Sequence, residues 1–251
     1  MNLTVADDVM LVTLVFARIG SALMVLPLFG EAYVLSRARL ILALTLSLVL
    51  TPVLAPTLGS VGAVDGAYAG RVVTEAIHGL FIGSLVRLAI AALSIAGAAI
   101  AMQMGFGAAN FFNPGEAQQS SATGNLMTIA GLAGLLAIDG HHMMLHGLVA
   151  SYEALPPTAG LQAADMAAAF ARGSADAVVI GVQMAMPMTA VALVLYAILG
   201  MMNRLVPTLQ VIFVAMPVQI IIGLGLLGIT LPAVIERFVA FAIDLTAVLG
   251  A

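Results

Sequence analysis

Few residues in this 251-residue chain could do chemistry, and almost all of them lie within or beside apolar sequence. The densest group is Asp139-Gly-His-His-Met-Met-Leu-His146. On a continuous helix Asp139, His142 and His146 fall at i, i+3 and i+7 and share one face. Histidines one turn apart can chelate a metal, and an Asp–His row could relay protons. A metal needs a further ligand and supporting hydrogen bonds, and the sequence identifies neither. The row therefore reads as structural hydrogen bonding, with no metal and no cofactor assigned. A second group is charged: Arg18, Glu75, His78 and Arg87 within apolar runs, and Arg204 between two of them. An unpaired charge at the centre of a bilayer costs ~2.5 kcal/mol or more. Arginines at helix ends escape this cost by extending toward the interface, which suits Arg71, Arg204 and Arg237. Arg18 and Arg87 lie deep within their runs and are expected to face protein or a water-lined surface. Arg18, Glu75, Arg87 and Arg204 form the candidate set of charges that tie the chain to protein.

The third group is a loop, Gly105-Phe-Gly-Ala-Ala-Asn-Phe-Phe-Asn-Pro-Gly-Glu-Ala-Gln-Gln-Ser120. Phe106, Phe111 and Phe112 sit among Gly105, Gly107 and Gly115, which relax backbone limits, while Asn113-Pro114-Gly115 makes a turn. Such a segment reads either as an interfacial turn with aromatic anchors or as a movable plug. Catalytic signatures are missing: no Gly-x-Ser-x-Gly, Walker loop, His-Glu-x-x-His or Rossmann glycine pattern occurs. The chain is not expected to be an enzyme.

These groups must be positioned by helices in a membrane. Hydrophobic residues make up 63% of the chain and charged ones 8%, with a mean hydropathy of +1.17. Soluble domains carry roughly a quarter charged residues. The net charge of −4 and the absence of Lys leave no basic patch for nucleic acid, and with no Cys neither disulfides nor thiolate chemistry is open. The N-terminus, Met1 to Asp8, is acidic where a secretory signal is basic, so the first apolar run is expected to be retained. Apolar stretches fall at 9–29, 38–58, 69–104, 125–149, 175–202 and 207–231, with a less apolar run at 232–250 carrying Glu236, Arg237 and Asp244. None alternates with period two, so helices satisfy the backbone in lipid. The expected fold is all-α, a multi-helix integral membrane protein in a single domain spanning 1–251. The connector 156–173 starts with Pro156-Pro157 and continues as a mildly amphipathic helix over 164–172, expected at an interface. Gly79-Leu-Phe-Ile-Gly83, Gly131 with Gly134, and Gly223, Gly225 and Gly228 mark faces where helix backbones can approach closely. Fifteen Met, including Met184, Met186 and Met188 around Pro187, supply deformable apolar surface.

Several phrases then recur in a known order: Phe16-Ala-Arg18-Ile-Gly with Pro27-Leu-Phe-Gly30, Arg39-Leu-Ile-Leu-Ala-Leu-Thr-Leu with Thr51-Pro52, and Gly105 through Pro114. Asp139-Gly-His141, Ser151-Tyr-Glu-Ala-Leu-Pro156 and Arg204-Leu-Val-Pro-Thr-Leu-Gln-Val-Ile-Phe-Val-Ala-Met-Pro217 complete the set. In order and spacing the chain resembles the FliR family of flagellar type III export-apparatus subunits over nearly its whole length. It departs at Gln210, where Asn is expected, and in the mild polarity of Gln118-Gln-Ser-Ser121. The resemblance implies a structural, channel-forming subunit of the flagellar protein export gate, needed for export of flagellar proteins and flagellum assembly. It implies tilted helical hairpins in a pseudo-helical assembly, partly raised out of the membrane plane. The partners implied are FliP-like and FliQ-like gate subunits, an FlhB-like subunit, membrane lipid, and unfolded flagellar proteins as cargo. The setting implied is the basal body in the bacterial inner membrane. The plug then comprises Phe106, Gly107, Asn110, Phe111, Phe112, Asn113, Pro114 and Gly115. Two other readings are an injectisome export-gate subunit and a small-solute secondary transporter. The latter is expected to show a repeated half, and none is visible.

Overall fold

Stripes of apolar residues at helical spacing organise this chain. In the computed structural model, which describes residues 5–58, 67–105, 122–157, 160–205 and 211–247, seven helices appear among the described residues and no strand. They are α1 (Val5–Val25), α2 (Ser36–Leu58), α3 (Ala67–Gln103), α4 (Ala122–Ala137), α5 (Gly140–Ala154), α6 (Ala163–Leu205) and α7 (Val211–Ala247). On α1 the buried positions run Leu11, Leu14, Val15, Arg18, Ile19, Ala22 and Leu23, a spacing of three or four residues that keeps one face inward. Arg18 occupies a core position of that stripe. Five helices are long and apolar enough to cross a membrane, or six if α4 and α5 are counted as one broken span.

Three expectations from the sequence change here. The stretch 125–149 is two helices bent by 76° rather than one span, because Asp139 adopts a left-handed backbone (φ 57°, ψ 29°) between them. The last two runs, 207–231 and 232–250, join as the single helix α7, which continues through Pro217 and Pro232. Likewise the amphipathic segment 164–172 is the first part of α6, which runs 43 residues through Pro187. A proline removes one intrahelical hydrogen bond and crowds the preceding turn, yet apolar helices tolerate it where neighbouring helices and local adjustment re-satisfy the backbone. Around Pro187, Met184 and Met188 are buried one turn apart while Met186 is exposed, so the alternation read in the sequence is a helical face.

The chain forms two compact units. The first comprises Met1–Leu88, Leu135–Ser174 and Ala242–Ala251. Within it α1 and α2 form a hairpin whose turn is held by Arg39, with Nη2 donating to the Glu31 carbonyl at 3.0 Å and the Val34 carbonyl at 3.5 Å. The second comprises Ala89–Gly134 and Ala175–Phe241. Its helices meet backbone to backbone. A methyl group added at Gly97 would stand 2.6 Å from Gly124 Cα, and one at Gly181 would stand 2.7 Å from the Ala92 carbonyl. Small residues at helix contacts are the usual means of association where lipid gives no hydrophobic drive. Leu93, Ile100, Met127 and Phe238 are among the buried residues of this unit.

Candidate functional site: a buried arginine centre

Arg18, Glu75 and His78 meet in the first unit because two helix faces bring them together. Glu75 and His78 are one turn apart on α3, on the same stripe as Ile82 and Val86. The next positions toward the middle of that helix are Gly79 and Gly83. A Cβ at Gly79 would collide with the Arg18 carbonyl oxygen and Ser21 Oγ, and one at Gly83 would lie 2.9 Å from the Ala22 carbonyl. The Gly79–Gly83 pair therefore lets α3 lie directly on the α1 backbone, and that approach puts Glu75 within reach of Arg18.

All three side chains are almost completely buried, at 0%, 1% and 0% exposure. The guanidinium engages Glu75 through two parallel bonds, Nε to Oε2 at 2.6 Å and Nη2 to Oε1 at 2.9 Å. Nη1 donates to the Ser151 carbonyl at 3.1 Å and Nη2 to the Leu155 carbonyl at 2.7 Å, and these oxygens belong to the C-terminal end of α5. The partial negative charge of a helix C-terminus favours a cation there. Ser151 Oγ donates to the Leu148 carbonyl at 2.6 Å, which leaves its lone pairs toward Arg18 Nη1 at 3.4 Å. The Tyr152 ring lies under the guanidinium carbon, 4.0 Å from its centroid, and adds a cation–π contact. His78 Nδ1 is 3.2 Å from Nη2 and, because arginine can only donate, accepts there, while His78 Nε2 is buried with no hydrogen-bond partner among the described residues. Each charge thus has both an opposite charge and hydrogen bonds, the condition under which ions persist in a low-dielectric interior. One arginine fastens α1, α3 and α5 together.

Arg87 repeats the pattern more weakly. Its Nη1 donates to the Val25 carbonyl at the end of α1 at 3.0 Å, and its Nη2 lies 3.8 Å from Glu31, with the Arg87 side chain 43% exposed. Arg204 is exposed in the last turn of α6, so within this chain it is not a buried charge. Asp139 caps α5 and stands 3.8 Å from His142, so the sharp turn at Asp139 starts the row Asp139, His142 and His146 and does not break it. Asp139 is brought to His141 and His142, and His146 is exposed one turn further along α5. The sequence reading missed Ser151, Tyr152 and the Leu155 carbonyl. It met them only as a phrase of the family pattern, and no local spacing could link them to Arg18.

The plug residues Phe106, Gly107, Asn110, Phe111, Phe112, Asn113, Pro114 and Gly115 lie outside the described residues. The stem leading to them is described. Gln103 ends α3 with Nε2 donating to Thr189 Oγ1 at 2.7 Å, and Gly105 leaves the helix with φ 83°, a left-handed exit that glycine adopts without a steric penalty. A Cβ at Gly105 would stand 3.1 Å from Gln219 Oε1, so a polar group borders the stem.

Residues 9–243 match the model of the bacterial export proteins, family 1. The flagellar biosynthetic protein FliR of Caulobacter vibrioides is 34% identical over 91% of this chain and 91% of its own length. FliR of Aquifex aeolicus is 30% identical over 92% of this chain and 89% of its own length. FliR of Bacillus subtilis is also 30% identical, over 84% and 82%. A match that runs through both units and includes the Arg18, Glu75 and Ser151 segments is a property of the whole chain: it belongs to the bacterial export proteins, family 1, the family of the FliR flagellar biosynthetic proteins.

Proposed function

We propose that this membrane-embedded component of the flagellar export apparatus is a structural and channel-forming subunit of the protein export gate. In this reading the whole chain acts as one gate domain in the bacterial inner membrane, within the flagellar basal body. It assembles with FliP-like, FliQ-like and FlhB-like subunits, and unfolded flagellar proteins pass through the assembly without catalysis by this chain. The observation that carries the reading is the amount of apolar helix left bare. The span windows of α2, α6 and α7 are only 22%, 28% and 22% buried within the chain. Exposed apolar side chains such as Ile41, Val53, Leu193, Ile221 and Ile229 need lipid or other subunits to cover them. Helix length favours subunits for part of this surface. At 1.5 Å per residue the 43 residues of α6 extend ~65 Å, about twice the hydrocarbon thickness of a bilayer. The relatives named above are flagellar, which favours this setting over an injectisome.

The loop beyond Gly105 is the gate element in this reading, with Phe106, Phe111 and Phe112 blocking the passage; a hydrophobic constriction stops ions by dewetting. Deleting Ala108–Gln118 tests it. Mild-detergent pulldown with mass spectrometry of the co-purifying subunits first establishes assembly. The expected result is an assembled complex that admits ions and small solutes into cells. An assembled complex that stays tight refutes the plug, and a chain that captures no export subunits refutes the gate assignment itself.

A further inference from the structure

The break between α4 and α5 gathers a set of side chains apart from the buried arginine centre. Asp139, His141 and His142 each offer a ligand atom, and these atoms lie within 4.8 Å of one another. His142 Nδ1 stands 3.8 Å from Asp139 Oδ1, and the two imidazole centroids are 4.1 Å apart with the rings tilted by 38°. Ligand atoms around a tetrahedral zinc are ~3.3–3.5 Å apart when each bond is ~2.0–2.2 Å long. The present spacing is wider by an amount that small torsional changes close, and the Asp139 and His142 side chains, 77% and 65% exposed, are free to make them. His141 Nδ1 is buried and has no hydrogen-bond partner among the described residues, so a ring nitrogen is uncommitted.

We propose that Asp139, His141 and His142 form a binding site for a divalent transition metal, of which zinc is the type. The donor set selects the metal class, since imidazole suits Zn²⁺, Ni²⁺ and Cu²⁺, whereas Mg²⁺ and Ca²⁺ require mostly oxygen ligands. The local field also permits a cation. The N-terminus of α5 carries partial positive charge, but the C-terminal end of α4 faces the same break with partial negative charge, and the Asp139 carboxylate adds a full one. The left-handed Asp139 backbone makes the site possible. The chain turns by 76° there, and the Asp139 carboxylate lies beside the first turn of α5, near both His141 and His142. Three protein ligands leave a fourth position for water or for a ligand from a neighbouring subunit.

The test uses the full chain in detergent, with any purification tag removed, and zinc chloride as the probe. Isothermal titration is expected to show one saturable site per chain, indifferent to a large excess of Mg²⁺. X-ray absorption on the zinc-loaded protein is expected to show two imidazoles at the metal. His142→Gln and Asp139→Asn each weaken binding by more than about tenfold, and His146→Gln leaves it unchanged. Absence of saturable binding overturns the proposal, as does a zinc environment without two imidazoles, or a loss in His146→Gln equal to that in His142→Gln. The absorption measurement needs only the unsubstituted chain, so it decides the matter even if a variant fails to fold.

Discussion

Substituting Glu75 by Leu isolates the buried charge on which α1, α3 and α5 converge. The carboxylate accepts two bonds from Arg18, at 2.6 and 2.9 Å, and both partners are shielded from water. With Glu75 gone, the guanidinium cannot shed its proton and keeps only carbonyl, hydroxyl and ring contacts. Removing one member of a buried ion pair costs about 3–5 kcal/mol. At about 2–4 °C per kcal/mol for a chain of this size, the apparent unfolding midpoint falls by roughly 6–20 °C. The double variant Arg18→Met with Glu75→Leu removes both charges while keeping apolar volume. It still leaves the Leu155 carbonyl without its donor, a loss of about 1–3 kcal/mol, while the Ser151 carbonyl keeps the Leu155 N–H at 2.8 Å. Its midpoint is therefore expected at or above that of Glu75→Leu alone, and well above the sum of the two single losses. The assay is size-exclusion chromatography of detergent-solubilised chain after graded heating, with all four proteins compared. If the singles add to within about 0.5 kcal/mol of the double, Arg18 and Glu75 do not act as a unit in fastening α1, α3 and α5.

Three further outcomes follow from the same structure. Gly79→Leu inserts a side chain where even a methyl group meets the Arg18 carbonyl and Ser21, so monodisperse protein should be lost; Gly225→Leu, at a position open on all sides, should leave the chromatographic profile intact. Arg87→Met removes a bond to the Val25 carbonyl and a longer contact to Glu31, both partly solvated, and should lower stability by only about 1 kcal/mol or less, read as a midpoint shift of a few degrees. Gln103→Leu deletes the bond to Thr189 at the stem of the loop and should raise solute entry in cells without preventing subunit capture in a pulldown; tight cells would show that the stem does not hold the loop closed.

The class of fold was open to reading because lipid imposes one rule, that the backbone satisfy itself, and long apolar runs then mean helices. Helix boundaries were harder. The prolines at 187, 217 and 232 are stop signals in water, yet α6 and α7 pass through them. The break at Asp139 ran the other way: Asp139-Gly140 is a turn dipeptide, but it lies inside an apolar run long enough to read as one span. The ion pair was half legible. Arg18 shares the three-and-four spacing of Leu11, Leu14, Val15 and Ala22, which points it inward, and Glu75 and His78 share a face with Gly79 and Ile82. Their meeting depends on a contact across 57 residues, and the Ser151 and Leu155 carbonyls lie more than twice that distance along the chain. Backbone acceptors carry no sequence signature, so only the fold could supply them.

The arginines also show how a chain with so little charge resolves its helix ends. Every helix leaves four carbonyl groups without intrahelical donors, a cost that grows when water is excluded. Arg18 supplies donors to the end of α5, Arg87 to the end of α1, and Arg39 to the turn between α1 and α2. All three belong to the first unit. A lysine would serve poorly at Arg18, because a single ammonium cannot form the two parallel bonds to Glu75 while also reaching two separated carbonyls and covering a tyrosine ring. The fixed fork of guanidinium meets all of these at once, so the position is specific to arginine rather than to positive charge. That distinction matters for assembly. A unit whose internal charges are already matched presents apolar helix faces outward and adds no free charge from this centre to the contacts that other subunits or lipid must make.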